Sequence, residues 1–199
     1  LGYDIPSRPT RQTRDIAFRN NLFDDISTAY GGAGWFLLIG DEPRDVVFDH
    51  NTIAHGGTAL IFAYGGTAAA PRQIQGLRFT NNAARHNTYG INGEFFSYGN
   101  GILDGFFPGA ITGANYLAGA SSARYPAGTV VSGPFEGHFV DAAAGDFRLN
   151  AGSPLRGAAT DGGDIGADMG TLLFRVVNVE TGIPVLPGIG PPSNVRVIG

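Results

Sequence analysis

Cysteine and lysine are both absent from the 199 residues. Without cysteine there is no disulfide, no thiolate zinc site and no cysteine nucleophile, and cysteine usage assigns no redox compartment. All 13 basic residues are arginine. That removes a lysine base or Schiff-base former and leaves planar guanidinium groups suited to carboxylates. No apolar run approaches the roughly 20 residues of a membrane-spanning helix, and heptad repeats are missing as well. There is no basic cluster, and at a net charge of −4 nucleic acid is not an expected partner. The chain opens on Leu1 without a leader-like stretch, so the expectation is a mature or truncated soluble piece.

What the chain does contain is a packable core and many turns. Apolar residues make up 43% and charged residues 15%, with 32 Gly and 12 Pro, which favours one domain of short strands joined by tight bends. One stretch is written three times. DIAFRNNLFDDIS from Asp15, DVVFDHNTIAHGG from Asp45 and GLRFTNNAARHN from Gly76 align on Asn21, Asn51 and Asn82. These asparagines are 30 and 31 residues apart, and a fixed period of that size marks a solenoid in which each copy is one rung.

The alternation within a copy gives the rung its shape. Ile16 and Phe18, Val46 and Phe48, Leu77 and Phe79 fall on one strand face and point inward, while Ala17, Val47 and Arg78 point out. The asparagine three positions on breaks the alternation as a corner would, because Asn tolerates left-handed backbone and its amide both donates and accepts. Asn21, Asn51 and Asn82 are therefore expected to be buried in a hydrogen-bonded ladder, one rung or about 4.8 Å apart, with Phe18, Phe48 and Phe79 stacked beside it. This pattern resembles the right-handed parallel β-helix of the pectate-lyase-like superfamily, in which such inward Asn ladders occur. The fold class is then all-β, a solenoid of about four to five rungs with a closing segment and a tail.

In chain order, residues 1–14 read as a polar, Pro-punctuated lead-in. The solenoid occupies 15–170, and 171–199 carries a terminal strand, LLFRVVNV, and a Pro/Gly-rich tail or linker. Each rung has two strand regions about the Asn corner and a third after a Gly-rich bend. In rung order these third strands lie in WFLLIG, ALIFAYGG and YGING. ITGANYLAG, with Asn115, is a fourth, imperfect rung. His138 to Gly170 resembles the closing segment of secreted bacterial β-helix proteins, with a strand at Asp146 to Leu149, a Ser153–Pro154 turn and an Asp-Ile-Gly-Ala motif from Asp164 to Ala167. Asp161, Asp164 and Asp168 are read as a capping turn, with calcium ligation the alternative. No cofactor is otherwise indicated.

The connections Asp41–Arg44, Gly66–Gln75 and Glu94–Gly109 lengthen along the stack, and the last is aromatic-rich. Variable loops on a rigid solenoid are where binding residues sit. The resemblance implies that these loops border a polysaccharide groove, which would gather Asp41, Glu42, Arg44, Tyr64, Arg72, Glu94 and Tyr98. Against catalysis stand the missing signatures: no paired Asp with Gly-His-Gly, and no calcium-binding Asp set with a downstream Arg base. His50 beside Asn51 reads as a turn residue, where Asn20 and Asn81 occupy the matching places.

Two functions remain open. One is a carbohydrate-binding or carbohydrate-active protein, a polysaccharide lyase or hydrolase if it is an enzyme. The other is a non-catalytic scaffold that self-associates through its β-helix ends. The resemblance implies an extracellular or cell-surface location for both. The first rung has no capping helix ahead of Asp15, so another chain or upstream rungs are expected to cover it.

Overall fold

A computed structural model describes residues 11–131 and 133–173. The first rung consists of β1 (Arg14–Arg19), β2 (Leu22–Ile26) and β3 (Leu37–Gly40). The second consists of β4 (Arg44–Asp49), β5 (Thr52–His55) and β6 (Ala59–Tyr64), followed by a small hairpin, β7 (Gly66–Thr67) and β8 (Ala70–Pro71). The third consists of β9 (Arg78–Thr80), β10 (Ala83–Arg85) and β11 (Gly90–Gly93). After helix α1 (Asn100–Phe106), the fourth rung has two strands, β12 (Ile111–Gly113) and β13 (Tyr116–Ala118). An antiparallel pair, β14 (Phe139–Asp141) and β15 (Asp146–Leu149), belongs to the closing segment.

Strands of successive rungs pair in parallel to form three sheets, β1-β4-β9-β12, β2-β5-β10-β13 and β3-β6-β11. The protein is a parallel β-solenoid of about four turns. The register is the one the repeat predicts: Ile16 faces Val46, and Phe18, Phe48 and Phe79 share one column. Val46, Phe48, Leu77 and Phe79 are buried on the inner face, while Ala17 and Arg78 are exposed on the outer. Phe18 lies on Phe48 with ring centroids 4.8 Å apart, and Phe48 meets Phe79 at 6.1 Å.

The ladder runs through four asparagines. Each of Asn21, Asn51 and Asn82 donates its backbone N–H and its side-chain Nδ2 to Oδ1 of the Asn one rung on, ending at Asn115, over 2.9 to 3.1 Å. Asn51, Asn82 and Asn115 also donate Nδ2 to the carbonyl oxygens of Phe18, Phe48 and Phe79. Two details differ from the sequence expectation. Asn21 is only half-buried, since it stands on the first rung. Moreover, the left-handed conformation belongs to the residue before each ladder Asn: Asn20 (φ 54), His50 (φ 51), Asn81 (φ 58) and Ala114 (φ 47). The preceding residue bends the chain, and the ladder Asn is freed to face inward. Two further corners carry their own left-handed columns, Asp15–Asp45–Gly76–Gly109 and Asp41–Gly65–Phe95.

The second sheet is buried on both faces, as a sheet with material packed on each side must be. Ile53, Ala84 and Leu117 point into the solenoid, whereas Ala54, Ala83 and Tyr116 face a second apolar cluster of Phe135, Phe139, Phe147, Leu155, Ile165 and Met169. The closing segment therefore covers the outside of this sheet. It approaches so closely that a Cβ on Gly166 (φ 99) would stand 2.9 Å from Thr52 Oγ1 and 3.2 Å from Ala83 Cβ.

The connection Glu94–Gly109 was expected to be an aromatic groove loop, but its rings are largely core. Phe106 and Phe107 are fully buried and Phe96 packs on the core, while Phe95 remains exposed. Helix α1 and Tyr125 lie over the fourth-rung side of β11, where no further strand follows among the described residues: Gly99 N–H donates to the Ile91 carbonyl and Ile91 N–H donates to the Tyr125 hydroxyl. Val130 does the same for β13, accepting from Leu117 N–H and donating to the Asn115 carbonyl. In the apolar WFLLIG stretch, Leu37 and Ile39 enter the core, Leu38 faces out, and Trp35 stacks on Phe62 at 4.3 Å.

Residues 169–173 are helical. Leu172 and Leu173, the start of the expected terminal strand, belong to this helix, and the remainder of that strand, the tail and most of the lead-in lie outside the described residues. No helix among the described residues is long and apolar enough to cross a membrane.

Candidate functional site

The bend residues before the ladder present their outward side chains as a column, and the closing segment docks on that column rung by rung. Asn81 Oδ1 accepts from Thr160 N–H at 2.8 Å and from its hydroxyl at 3.1 Å. Thr52 Oγ1 accepts from Ala167 N–H at 2.9 Å, and Asn20 Oδ1 accepts from Asp168 N–H at 2.6 Å. Between them, the His50 ring bridges two acceptors, the Asp164 carbonyl oxygen at 3.0 Å from Nδ1 and Asp161 Oδ2 at 3.1 Å from Nε2. A ring so placed satisfies both only when both nitrogens carry protons. His50 is thus more than a turn residue, since it ties the second rung to a segment 111 and 114 residues away.

Where the closing segment stands away from the column, a groove of about 880 Å³ opens. Arg19, Asn20, Asp49 and His50 form one wall; Arg148, Arg156, Asp164 and Asp168 line the other. Its carboxylates are committed as acceptors. Asp49 Oδ1 takes the Thr80 hydroxyl at 2.7 Å and Asn81 Nδ2 at 2.9 Å, and Asp164 Oδ1 takes Gly157 N–H at 2.8 Å. The Thr171 hydroxyl and N–H hold the Asp168 carboxyl below the usual range. Asp161, which is not part of the groove lining, is lowered by the Gly163 N–H first and by His50 next. Beside the groove, Arg148 holds Asp146 down to about 2. Carboxyls lowered in this way stay ionised and do not serve as general acids near neutrality. Among the arginines, Arg156 reaches the Leu149 carbonyl at 3.3 Å, and the exposed guanidinium of Arg19 has no partner among the described residues.

The residues expected from the sequence to line a groove are split between three places. Asp41, Tyr64, Arg72 and Glu94 meet at the corner leaving the third sheet. There Arg72 pairs with Asp41, Glu94 Oε2 accepts from Gly65 N–H at 2.9 Å, and the Tyr64 ring lies over Gly40, where a Cβ would come within 2.6 Å of it. Glu42 adjoins them and accepts from Gln12 Nε2 through its carbonyl at 2.6 Å. Arg44 stands round the bend at the start of β4, in register with Arg14. Tyr98 is elsewhere, beneath the Arg124 guanidinium at 4.5 Å and edge-on to His86 and Tyr89. Asp161, Asp164 and Asp168 act as turn acceptors in the closing segment. Among the described residues no group of three or more His, Asp or Glu is placed to hold a metal ion.

The groove with Arg19, Arg148 and Arg156 was not read from the sequence. Its only local trace is the repeated polar residue before each ladder Asn, which announces a bend and not a docking partner. No family model matches the chain, and no curated protein or solved structure shows significant similarity to it.

Proposed function

We propose that this β-solenoid is a carbohydrate-binding protein that holds a carboxylate-bearing saccharide in the groove between the His50 column and the closing segment. The observation that carries the reading is the guanidinium of Arg19, which has no partner among the described residues and lines an open cleft of oligosaccharide size together with Arg148 and Arg156. Guanidinium groups bind carboxylates through charge-assisted, planar hydrogen bonds. The groove carboxylates are already engaged and the one resolved shift among them, that of Asp168, is downward, which favours binding over acid–base chemistry. The resemblance to secreted β-helix proteins agrees with an extracellular setting. The test is calorimetric titration with a galacturonate tetrasaccharide and, as the neutral control, a glucose tetrasaccharide. Binding of the first, lost in Arg19→Ala and weakened by salt, supports the reading; no heat with either saccharide sinks it.

A second reading, a scaffold that associates through the first-rung end, rests on one gradient. Phe48 and Phe79 are 1% exposed, while Phe18, Phe23 and Phe36 on the first rung are only partly buried. Covering such rings contributes about 1.5 to 3 kcal/mol each. Light scattering separates the readings, since a monomer at high concentration removes self-association without touching saccharide binding.

A further inference from the structure

Two imidazoles enter the interior of the solenoid one above the other. The β5–β10 register pairs Thr52 with Ala83 and Ile53 with Ala84, which sets His55 opposite His86 at the end of the second sheet. His55 is 0% and His86 4% exposed. Each ring has one nitrogen engaged and one without a partner. His55 Nε2 accepts from Asn87 Nδ2 at 3.2 Å and His86 Nδ1 donates to the Asn87 carbonyl at 2.9 Å, leaving His55 Nδ1 and His86 Nε2 buried and unpaired. In the neutral form of each ring this arrangement places the lone proton on Nδ1.

Asn87 links the pair to the chain. In left-handed conformation (φ 53), it donates Nδ2 to the His55 carbonyl at 3.1 Å and to the Gly57 carbonyl at 2.7 Å, fixing the turn into β11. Beyond that turn, Gly90 lies so close to its neighbours that a Cβ there would stand 2.2 Å from the Tyr125 hydroxyl and 2.3 Å from the His86 ring. The Tyr125 hydroxyl in turn caps Ile91 N–H. The charged and titratable groups around the pair are Arg85 on β10, which is engaged by Glu136 and lies over Phe135; Tyr89 in the turn; Tyr98 ahead of α1; and Tyr125 with Arg124 from the segment over β11. No carboxylate among the described residues pairs with either ring. Burial, then Arg85, lowers His55 to about 4, the Ala59 carbonyl opposing weakly without reaching hydrogen-bond geometry at Nδ1; burial also lowers His86.

We infer that His55 and His86 form an acid-sensitive latch. In mildly acidic solution, protonation of these neighbouring, carboxylate-free rings expels the Asn87 clamp, and the turn into β11 opens with its Tyr125 cap. A proton on His55 Nε2 turns the acceptor of Asn87 Nδ2 into a donor, and a second cation one rung away beside Arg85 has nothing to neutralise it. The Asn ladder lies at a different corner and contains no titratable group, so the response is local.

The test is amide hydrogen exchange on the full chain at about pH 7 and about pH 5, corrected for intrinsic rates, with His55→Gln and His86→Gln alongside. The expected result is at least a roughly tenfold loss of protection at Gly90 and Ile91 that exceeds the loss at Asn51 and Asn82, and no such excess in the variants. Equal loss at all four amides is global acid unfolding and overturns the latch, as does no loss anywhere. Should the variants not fold, nitrogen-15 imidazole shifts of the native protein decide. Nδ1-protonated neutral rings at about pH 7 that gain charge together with the Ile91 change support the latch, and rings that titrate without it overturn it.

Discussion

Asn51 and Asn82 are joined by two hydrogen bonds to a single atom: the backbone N–H of Asn51 at 3.0 Å and its Nδ2 at 2.9 Å both donate to Asn82 Oδ1. The pattern repeats with the same direction at every step, so the ladder has polarity. Its donors point towards the fourth rung, so Asn21 on the first rung is the first donor and Asn115 Oδ1 on the fourth is the last acceptor. The arrangement pins register, because a slip of one residue would separate every Oδ1 from both donors.

Asn51→Leu should destabilise the fold by about 1 to 3 kcal/mol, since it leaves the Phe18 carbonyl and the Asn21 N–H without their side-chain partners. Urea unfolding measures it. Asn21→Leu should cost less because Asn21 is half-exposed; equal losses would contradict the ladder's graded burial.

Gly166→Val should lower stability by at least about 1 to 3 kcal/mol through left-handed backbone strain alone. The Cβ also collides with Thr52 Oγ1 and Ala83 Cβ, which lifts the closing segment from the second sheet. Proteolysis within residues 150–170 should accelerate in this variant, and an unchanged digestion pattern would argue against close docking there.

Tyr125→Phe removes the hydroxyl that accepts from Ile91 N–H and donates to the Tyr89 carbonyl at 3.4 Å. A loss of about 1 to 3 kcal/mol is expected because a buried strand donor is left unpaired. Amide exchange at Ile91 should rise while that at Ile61, inside the same sheet, should not.

Acidification should weaken the fold through His55. Its folded value of about 4 lies below the ordinary 6.5, so between these the unfolded chain binds more protons. Stability is complete above about pH 6.5 and falls as pH drops towards about 4, by on the order of 3 kcal/mol. Asp161 and Asp168, also lowered, lose their contributions as pH falls through the carboxylate range. Thermal melts of wild type and His55→Gln from about pH 7 to about pH 4.5 check this; parallel curves would remove His55 as the cause.

The sequence determined the rung. Period, inward alternation and ladder asparagines are legible in the chain because each copy meets the same local demand: strand, bend, strand. Asn115 joins the ladder although its rung is imperfect, and Phe18, Phe48 and Phe79 share a column as their spacing requires. Only the tertiary structure decided what happens outside and at the ends of that stack. Nothing local marks His50 as the partner of Asp161, or Asn20 as that of Asp168, because those contacts span 111 and 148 residues. The rings of Phe106 and Phe107 read as loop aromatics, yet the missing third strand of the fourth rung leaves an open end that α1 and Tyr125 must fill. Repeats specify what each rung shares with its neighbour. The groove, the cap and the histidine latch depend on where the repeat stops and the chain returns along its own side.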